Sequence, residues 1–391
     1  MYINRIISEK ITCLADQFPC LVLTGARQVG KTTLLKNLFP KHQFVSLDLP
    51  SVAEQADREP AIFLSQFHGP AIIDEVQYAP GLFRHLKVKI DDNRHSMGRF
   101  ILTGSQKFTL MKEVSDSLAG RVAILNMENL SSSEISLAND SHWPATLTRG
   151  FYPELWRQKA LDSNAFYASY LASYLERDVR QILNVSSLRD FERFIRACAA
   201  RSAQLLNMSD LARDVGIKPQ TAKDWLSVLE ASNQISLLEP YFENVGKRIV
   251  KSPKLFINDP GMLSFLLSLN EAALISTPLI GAIWETFVYA EFRKMMAAQN
   301  EPATLWYYRD AQSREIDFLL MTGGQLHLFE TKWTESPDDR WISNLLEVQT
   351  ILGKSKTQRQ GQAYLLCRTP TKVTRNGVTC IHVAEFFSKK P

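Results

Sequence analysis

The chain has 391 residues, 45% hydrophobic and 22% charged, with 45 Lys and Arg against 41 Asp and Glu for a net charge of +4. That length exceeds one ordinary core of ~100–200 residues, and the composition excludes disordered and collagen-like classes, so two or three globular units are expected. Five cysteines without a Cys-x-x-Cys pair argue against a zinc knuckle or disulfide framework, and the absence of a signal-peptide stretch or a run of ~18 apolar residues predicts a soluble, cytoplasmic protein with no membrane partner.

Residues 1–130 alternate short apolar strands with helical stretches: Cys20-Leu-Val-Leu-Thr24, Phe44-Val-Ser-Leu47, Ala71-Ile-Ile-Asp74, Phe100-Ile-Leu-Thr103 and Val122-Ala-Ile-Leu125. Buried parallel strands have this composition, so the fold class is α/β, a three-layer P-loop sheet. Directly after the first strand, Gly25 to Thr32 matches Gly-x-x-x-x-Gly-Lys-Thr, and a helical stretch follows. Such a loop turns its backbone N–H groups toward phosphate, helped by the positive end of the helix. Gly25, Ala26, Arg27, Gln28, Val29, Gly30, Lys31, Thr32 and Thr33 are therefore expected to cradle ATP, with Lys31 on the β- and γ-phosphates and Thr32 on Mg²⁺.

The third strand ends in adjacent carboxylates. Asp74 suits the Mg²⁺ shell and Glu75 suits activation of the attacking water, which points to hydrolysis over transfer to a small acceptor. The fourth strand runs into Thr103-Gly-Ser105, where Ser105, with Thr103 second, is expected to sense the γ-phosphate. Arg121, just ahead of the fifth strand, reads either as a finger inserted beside a neighbouring subunit's γ-phosphate or as an ordinary surface arginine.

From residue 131 the strands stop. Ser131-Ser-Ser-Glu134 has the spacing of a capping box that opens a helix. A helical middle region, 131–260, contains Leu206 to Ile217 followed by Thr221 to Leu229, which read as a helix-turn-helix with Ser209 as the first cap and Gly216 at the turn. Its second helix carries little net positive charge. The basic residues Lys247, Arg248, Lys251 and Lys254 fall on a following hairpin and argue better for sequence-independent DNA contact, against the alternative of a solvated basic rim.

Residues 261–391 return to strands. A long apolar helix spans about Ile283 to Met296, with Glu285 near its start. Gly323-Gly324 marks a hairpin turn whose register sets Asp317 opposite Glu330, with Lys332 on the same face, Glu315 opposite it, and Ile316, Phe318 and Phe329 on the other. Facing carboxylates need a cation between them. Asp317, Glu330 and Glu285 are accordingly expected to hold a divalent metal, with Lys332 steadying an attacking water; a salt-bridged hairpin is the competing reading. Between Gly353 and Cys380 the basic residues Lys354, Lys356, Arg359, Arg368, Lys372 and Arg375 have no acid among them, which suits phosphate contacts or a solvated face.

In Gly25 to Thr32, Asp74-Glu75, Thr103-Gly-Ser105, Gly120-Arg121, Gly150 to Glu154, Tyr174 to Asp178, Trp284-Glu285, Arg314 to Asp317 and Glu330-Thr-Lys332, the chain resembles the prokaryotic AAA-type ATPases that carry a C-terminal domain of unknown function. One departure is Thr331, where the family usually has an aliphatic residue. The resemblance implies an AAA+ core (1–130), a winged-helix segment (131–260) and a restriction-endonuclease-like end (261–391). Two functions follow as expectations: a Mg²⁺-dependent, homo-oligomeric ATPase that gates DNA cleavage, or an ATP-switched regulatory module with an inactive nuclease-like fold.

Overall fold

The computed structural model describes residues 2–105, 114, 116–138, 141–179, 188–241, 252–353 and 359–388. These form two compact units, one of residues 1–130 with two short later segments, the other of most of the remainder.

The first unit is built on a five-stranded parallel sheet of β1 (Cys20–Thr24), β2 (Gln43–Ser46), β3 (Ala71–Asp74), β4 (Phe100–Gly104) and β5 (Val122–Asn126), in the order β2-β3-β4-β1-β5. The three central strands are buried along their whole length, which is why they read as unbroken apolar runs. Val22, Ile73 and Leu102 pack with Phe63, Phe83 and Leu86 in one core. Because every strand is parallel, the residues that end β1, β3 and β4 gather at one edge of the sheet. That edge carries the candidate chemistry.

The second unit contains helices, a three-stranded antiparallel sheet and a six-stranded mixed sheet. The small sheet orders β6 (Gln204–Leu205), β8 (Lys254–Ile257) and β7 (Ile235–Leu238), with β8 in the middle. The larger comprises β9 (Ala303–Arg309), β10 (Glu315–Thr322), β11 (Gln325–Thr331), β12 (Arg359–Cys367), β13 (Val373–Arg375) and β14 (Val378–His382), ordered β13-β14-β12-β11-β10-β9. On one face Leu319, Leu328 and Leu365 pack with Ile342, Leu345 and Val348 of the helix Asp339–Leu352. On another, Phe318 and Phe329 meet Phe292 of the helix Ile280–Ala298.

Several local expectations change in three dimensions. The reciprocal bonds of the Ser131/Glu134 box form, at 2.7 and 3.2 Å, yet they close a turn rather than open a helix. Ser136 at φ 55° and a Ser132 drawn to Glu291 explain the interruption. The first helix of the helix-turn-helix pair, Met208–Val215, is capped by Asn207 and not by Ser209: the Asn207 side chain accepts from the N–H groups of Ser209 and Asp210. Gly216 does occupy the left-handed turn, at φ 79°, ahead of the helix Pro219–Ala231.

Among the described residues no helix is long and apolar enough to cross a membrane. Lys247, Arg248, Lys251, Lys354 and Lys356 lie outside the described residues.

Candidate functional site

The loop between β1 and the helix Lys31–Leu38 takes a shape that only its sequence permits. Gly25 sits at φ 145° and Gly30 at φ 95°, and a Cβ on Gly25 would lie 2.3 Å from the Met127 carbonyl oxygen. No larger residue fits there. Lys31, buried at the loop's centre, donates to the carbonyls of Gly25 and Ala26, both at 2.9 Å. Arg27 reaches the Tyr78 hydroxyl at 3.4 Å, Gln28 adopts φ 62°, and Gly30 precedes the first turn that carries Thr32 and Thr33.

Thr32 donates to both oxygens of Asp74, at 2.9 and 3.0 Å, and Thr103 donates to the same carboxylate at 2.5 Å. Burial pushes the Asp74 carboxyl above its ordinary range, opposed by the hydroxyls of Thr103 and Thr32. A hydroxyl and a carboxylate converging beside a phosphate-type loop form an oxygen donor set suited to Mg²⁺.

Glu75 stands at φ 55°, a left-handed backbone uncommon for a side chain of its size. Three donors converge on its Oε2: Gln77 Nε2 at 2.5 Å, Ser105 Oγ at 3.0 Å and Ser105 N at 3.3 Å. Its own N–H donates to Thr103 Oγ1 at 3.1 Å, so β3 and β4 are tied at the tip of the sheet. Ser105, Thr103, Asp74, Glu75, Thr32 and Lys31 are thus brought together at one edge of the sheet.

Arg121 is not brought there. It precedes β5 at the level where β1 begins, roughly 15–20 Å of strand away from the loop that follows Thr24. It forms a two-pronged pair with Asp91, at 2.6 and 2.9 Å.

In the second unit, β10 and β11 pair in the anticipated register: Thr322 faces Gln325 and Phe318 faces Phe329, which sets Asp317 opposite Glu330. Gly323 and Gly324 make the turn at φ 55° and 72°. The face assignment needs correction, because the β10–β9 pairing shifts between Ile316 and Leu319. Ile316 therefore packs with Leu319 and Leu328, while Phe318 joins Phe292.

Lys332 bonds Glu330 at 2.6 Å and lies 3.6 Å from Asp317, whose Oδ2 also accepts from the Thr331 N–H. Glu315 does not pair with Lys332. Instead it turns to Lys254 at 2.6 Å and to Arg309 at 3.4 Å.

Lys254 is a second correction. Rather than gripping a backbone from an exposed wing, it is 2% exposed at the start of β8, 2.8 Å from Glu285 and 4.0 Å from Asp317. Burial acts to lower its ammonium, but Glu285, Asp317 and Glu315 outweigh that and hold it protonated well above the usual lysine range. Burial likewise pushes Glu285 up to about 7 against the pull of Lys254, and Glu330 up to about 8 against that of Lys332. Among the described residues no group of three or more His, Cys, Asp or Glu side chains is arranged to hold a metal ion.

A family model described as an AAA domain matches residues 17–136, and two domains of unknown function match 140–273 (DUF8612) and 280–386 (DUF4143). The uncharacterized proteins Rv2008c of Mycobacterium tuberculosis and Mb2031c of Mycobacterium bovis are each 33% identical over 323 residues, covering 82% of this chain and 71% of their own. The chain belongs to their family. Its first unit is an AAA-type P-loop ATPase domain. Solved structures similar to the chain include the Walker-type ATPase PABY2304 of Pyrococcus abyssi, 16% identical over 68% of this chain and 96% of that one with a TM-score of 0.43. Another is the RuvB Holliday junction branch migration motor of Thermotoga maritima, 14% identical over 60% of this chain and 89% of that one with a TM-score of 0.32.

Two residues of the first unit escaped sequence reasoning. Arg5, 8% exposed, donates to the carbonyls of Val29 at 2.8 Å, Glu128 at 2.7 Å and Asn129 at 3.1 Å, joining the phosphate loop to the chain beyond β5. A single arginine in Tyr2-Ile-Asn-Arg-Ile6 carries no spacing that could reveal this. Gln77 had a weak signal, its place two residues after Glu75.

Proposed function

We propose that this protein binds ATP with Mg²⁺ and hydrolyses it. The observation that carries the reading is the pair of hydrogen bonds from Thr32 to Asp74, which couples the phosphate loop to the carboxylate strand within one oxygen-rich site. Lys31 now lies on loop carbonyls, and its ammonium would exchange them for β- and γ-phosphate oxygens. Thr32 and Asp74 would hold Mg²⁺, which neutralises charge that develops on the phosphates. Glu75, steered by Gln77 and Ser105 through Oε2, keeps Oε1 to orient the attacking water and accept its proton. Ser105 or Thr103 reports the γ-phosphate by hydroxyl contact. Glu75→Gln should retain binding of a fluorescent ATP analogue and lose turnover by ~10²-fold or more. Turnover equal to the parent's would remove the role from Glu75.

Arg121 lies too far from its own chain's loop to serve it, which supports a role across the interface of a homo-oligomer. Within the second unit we place a helical region over 131–260 and an endonuclease-like domain over 261–391. The helices Met208–Val215 and Pro219–Ala231, with β7 and β8 behind them, support a winged-helix reading of the first. For the second domain the ion pairs of Lys254 and Lys332 favour an ATP-regulated binding module over a nuclease. The exposed Arg359 and Lys372 support contact with nucleic-acid phosphates that is not base-specific.

A further inference from the structure

We propose that the carboxyl ends of β11, β12 and β14 form a binding site for a small oxyanion, held by Arg368, His382, Trp143 and Trp284. The three strands run parallel, so Thr331, which closes β11, Arg368, next after Cys367 of β12, and His382, which closes β14, lie at one edge of the larger sheet. Parallel strands take ligands beyond their carboxyl ends, where the chain leaves the sheet. The backbone fixes this edge. The Lys332 N–H donates to the Leu366 carbonyl at 3.0 Å and the Arg368 N–H to the Thr334 carbonyl at 2.7 Å, so Trp333 is held between two tied positions.

Side chains close over the edge in a ring. The Arg368 guanidinium lies 3.8 Å from the centre of the Trp333 ring. Trp333 meets Trp284 of the helix Ile280–Ala298 at 5.1 Å between ring centres, Trp284 meets Trp143 at 5.2 Å, and Trp143 meets His382 at 5.6 Å. The charge of Arg368 acts on His382 in turn, so the set returns to its start. Trp284, His382 and Trp143 are 0%, 1% and 3% exposed, whereas Trp333 and Arg368 are only partly buried, and Arg368 reaches the exposed Glu335 at 3.2 Å. That side is the way in.

Unspent protons decide what binds. Nε1 of Trp143, Nε1 of Trp284, Nε2 of His382 and Nε of Arg368 have no hydrogen-bond partner among the described residues, and neither does the buried Thr331 hydroxyl. His382 Nδ1 accepts from the Ala384 N–H, which leaves the ring proton on Nε2 and makes that atom a donor. Each of these groups therefore has a proton to give, and only the hydroxyl can also accept. The two indoles pack edge to face at 80°, so at most one of their N–H groups is spent on the other's ring. Buried donors without acceptors are costly. A water would accept from part of the set, but its own protons would meet further donors. An oxyanion brings several acceptors and no protons, and Arg368 supplies the matching charge.

The test titrates the full chain with inorganic phosphate, sulfate and acetate at constant ionic strength, in a Lys31→Ala background that silences the phosphate loop and separates the outcome from the ATPase reading. Its readout is the indole N–H signals of a proton–nitrogen correlation spectrum, assigned with Trp143→Phe and Trp284→Phe. All seven tryptophans lie outside residues 1–130. The Trp143 and Trp284 signals should move downfield and saturate with a midpoint of about 1 mM or below, while Trp225 and Trp341 stay in place. Phosphate or sulfate ahead of acetate identifies a tetrahedral oxyanion, and the reverse order a carboxylate. Arg368→Met should weaken binding at least tenfold, and Arg368→Lys, which keeps the charge without the Nε proton, should recover part of that loss. Signals that stay in place with all three anions overturn the proposal. So does a shift shared equally by Trp225 and Trp341, or an affinity unchanged in Arg368→Met. Should Arg368→Met fail to fold, His382→Phe, which keeps a ring and removes the Nε2 proton, makes the same comparison, and the indole shifts of the Lys31→Ala chain decide in either case.

Discussion

Glu75 combines a left-handed backbone with a carboxylate oxygen fixed by three donors. The strain is sustained because β3 and β4 hold the residue from both sides, and its removal is read by the turnover experiment above. Gly25 sets a sharper steric limit. Gly25→Ala drives a Cβ into the Met127 carbonyl, a backbone atom that cannot swing away, so ATP affinity should fall more than tenfold in an equilibrium titration.

His382, on β14, gives a residue-scale prediction about pH. It is 1% exposed, its Nδ1 accepts from the Ala384 N–H, and burial followed by the charge of Arg368 lowers its pKa below the ordinary histidine value. The unfolded chain therefore takes up a proton first as pH falls. The stability His382 contributes is fully present above about pH 6.5 and is lost as pH drops from there toward the lowered folded value. The second unit's unfolding midpoint should decline over that window, and His382→Gln should flatten the decline in a pH series of thermal melts.

At the scale of elements, the phosphate loop depends on chain far from it. Arg5 supplies buried donors to Val29, Glu128 and Asn129, and Arg5→Ala leaves three carbonyls short of a partner. Denaturant unfolding of the first unit should show a loss of about 3 kcal/mol, from hydrogen bonds to a charged group. ATP binding should weaken roughly tenfold because the loop is no longer braced. Arg5→Lys should recover little, since an ammonium cannot span three carbonyls as the guanidinium fork does. The β10 bulge acts in a comparable way. A one-residue shift between Ile316 and Leu319 sends Ile316 and Phe318 to different cores, and leaves Asp317 among the charged groups near Lys254.

At the scale of the whole molecule, the position of Arg121 at the opposite end of its own sheet from the phosphate loop supports the proposal that activity belongs to an assembly. Mixing Arg121→Ala chains with Lys31→Ala chains, each inactive alone, should restore part of the ATPase rate, because some interfaces then pair an intact loop with an intact arginine. Analytical ultracentrifugation with ATP provides the independent check. A monomer that hydrolyses ATP at the parent rate would end the trans role and leave Arg121 as the partner of Asp91.

The sequence alone determined the parallel sheet and its loop, because fully buried strands must be continuous apolar runs and a phosphate cradle needs glycine at fixed spacing. It also determined the β10–β11 register, since two consecutive glycines leave little choice of turn. Tertiary structure alone decided which charges meet. Arg5 and Val29 are 24 residues apart, and Lys254 and Glu285 are 31 apart, with no local pattern that links them. The same holds for Ser131 to Glu134, whose box forms as its spacing requires but closes a turn, because Glu291 captures Ser132 from 159 residues away. Local spacing fixes backbone shape through short-range sterics and hydrogen bonds, whereas the partner of a buried charge is set by whichever opposite charge the packed strands and helices bring within reach.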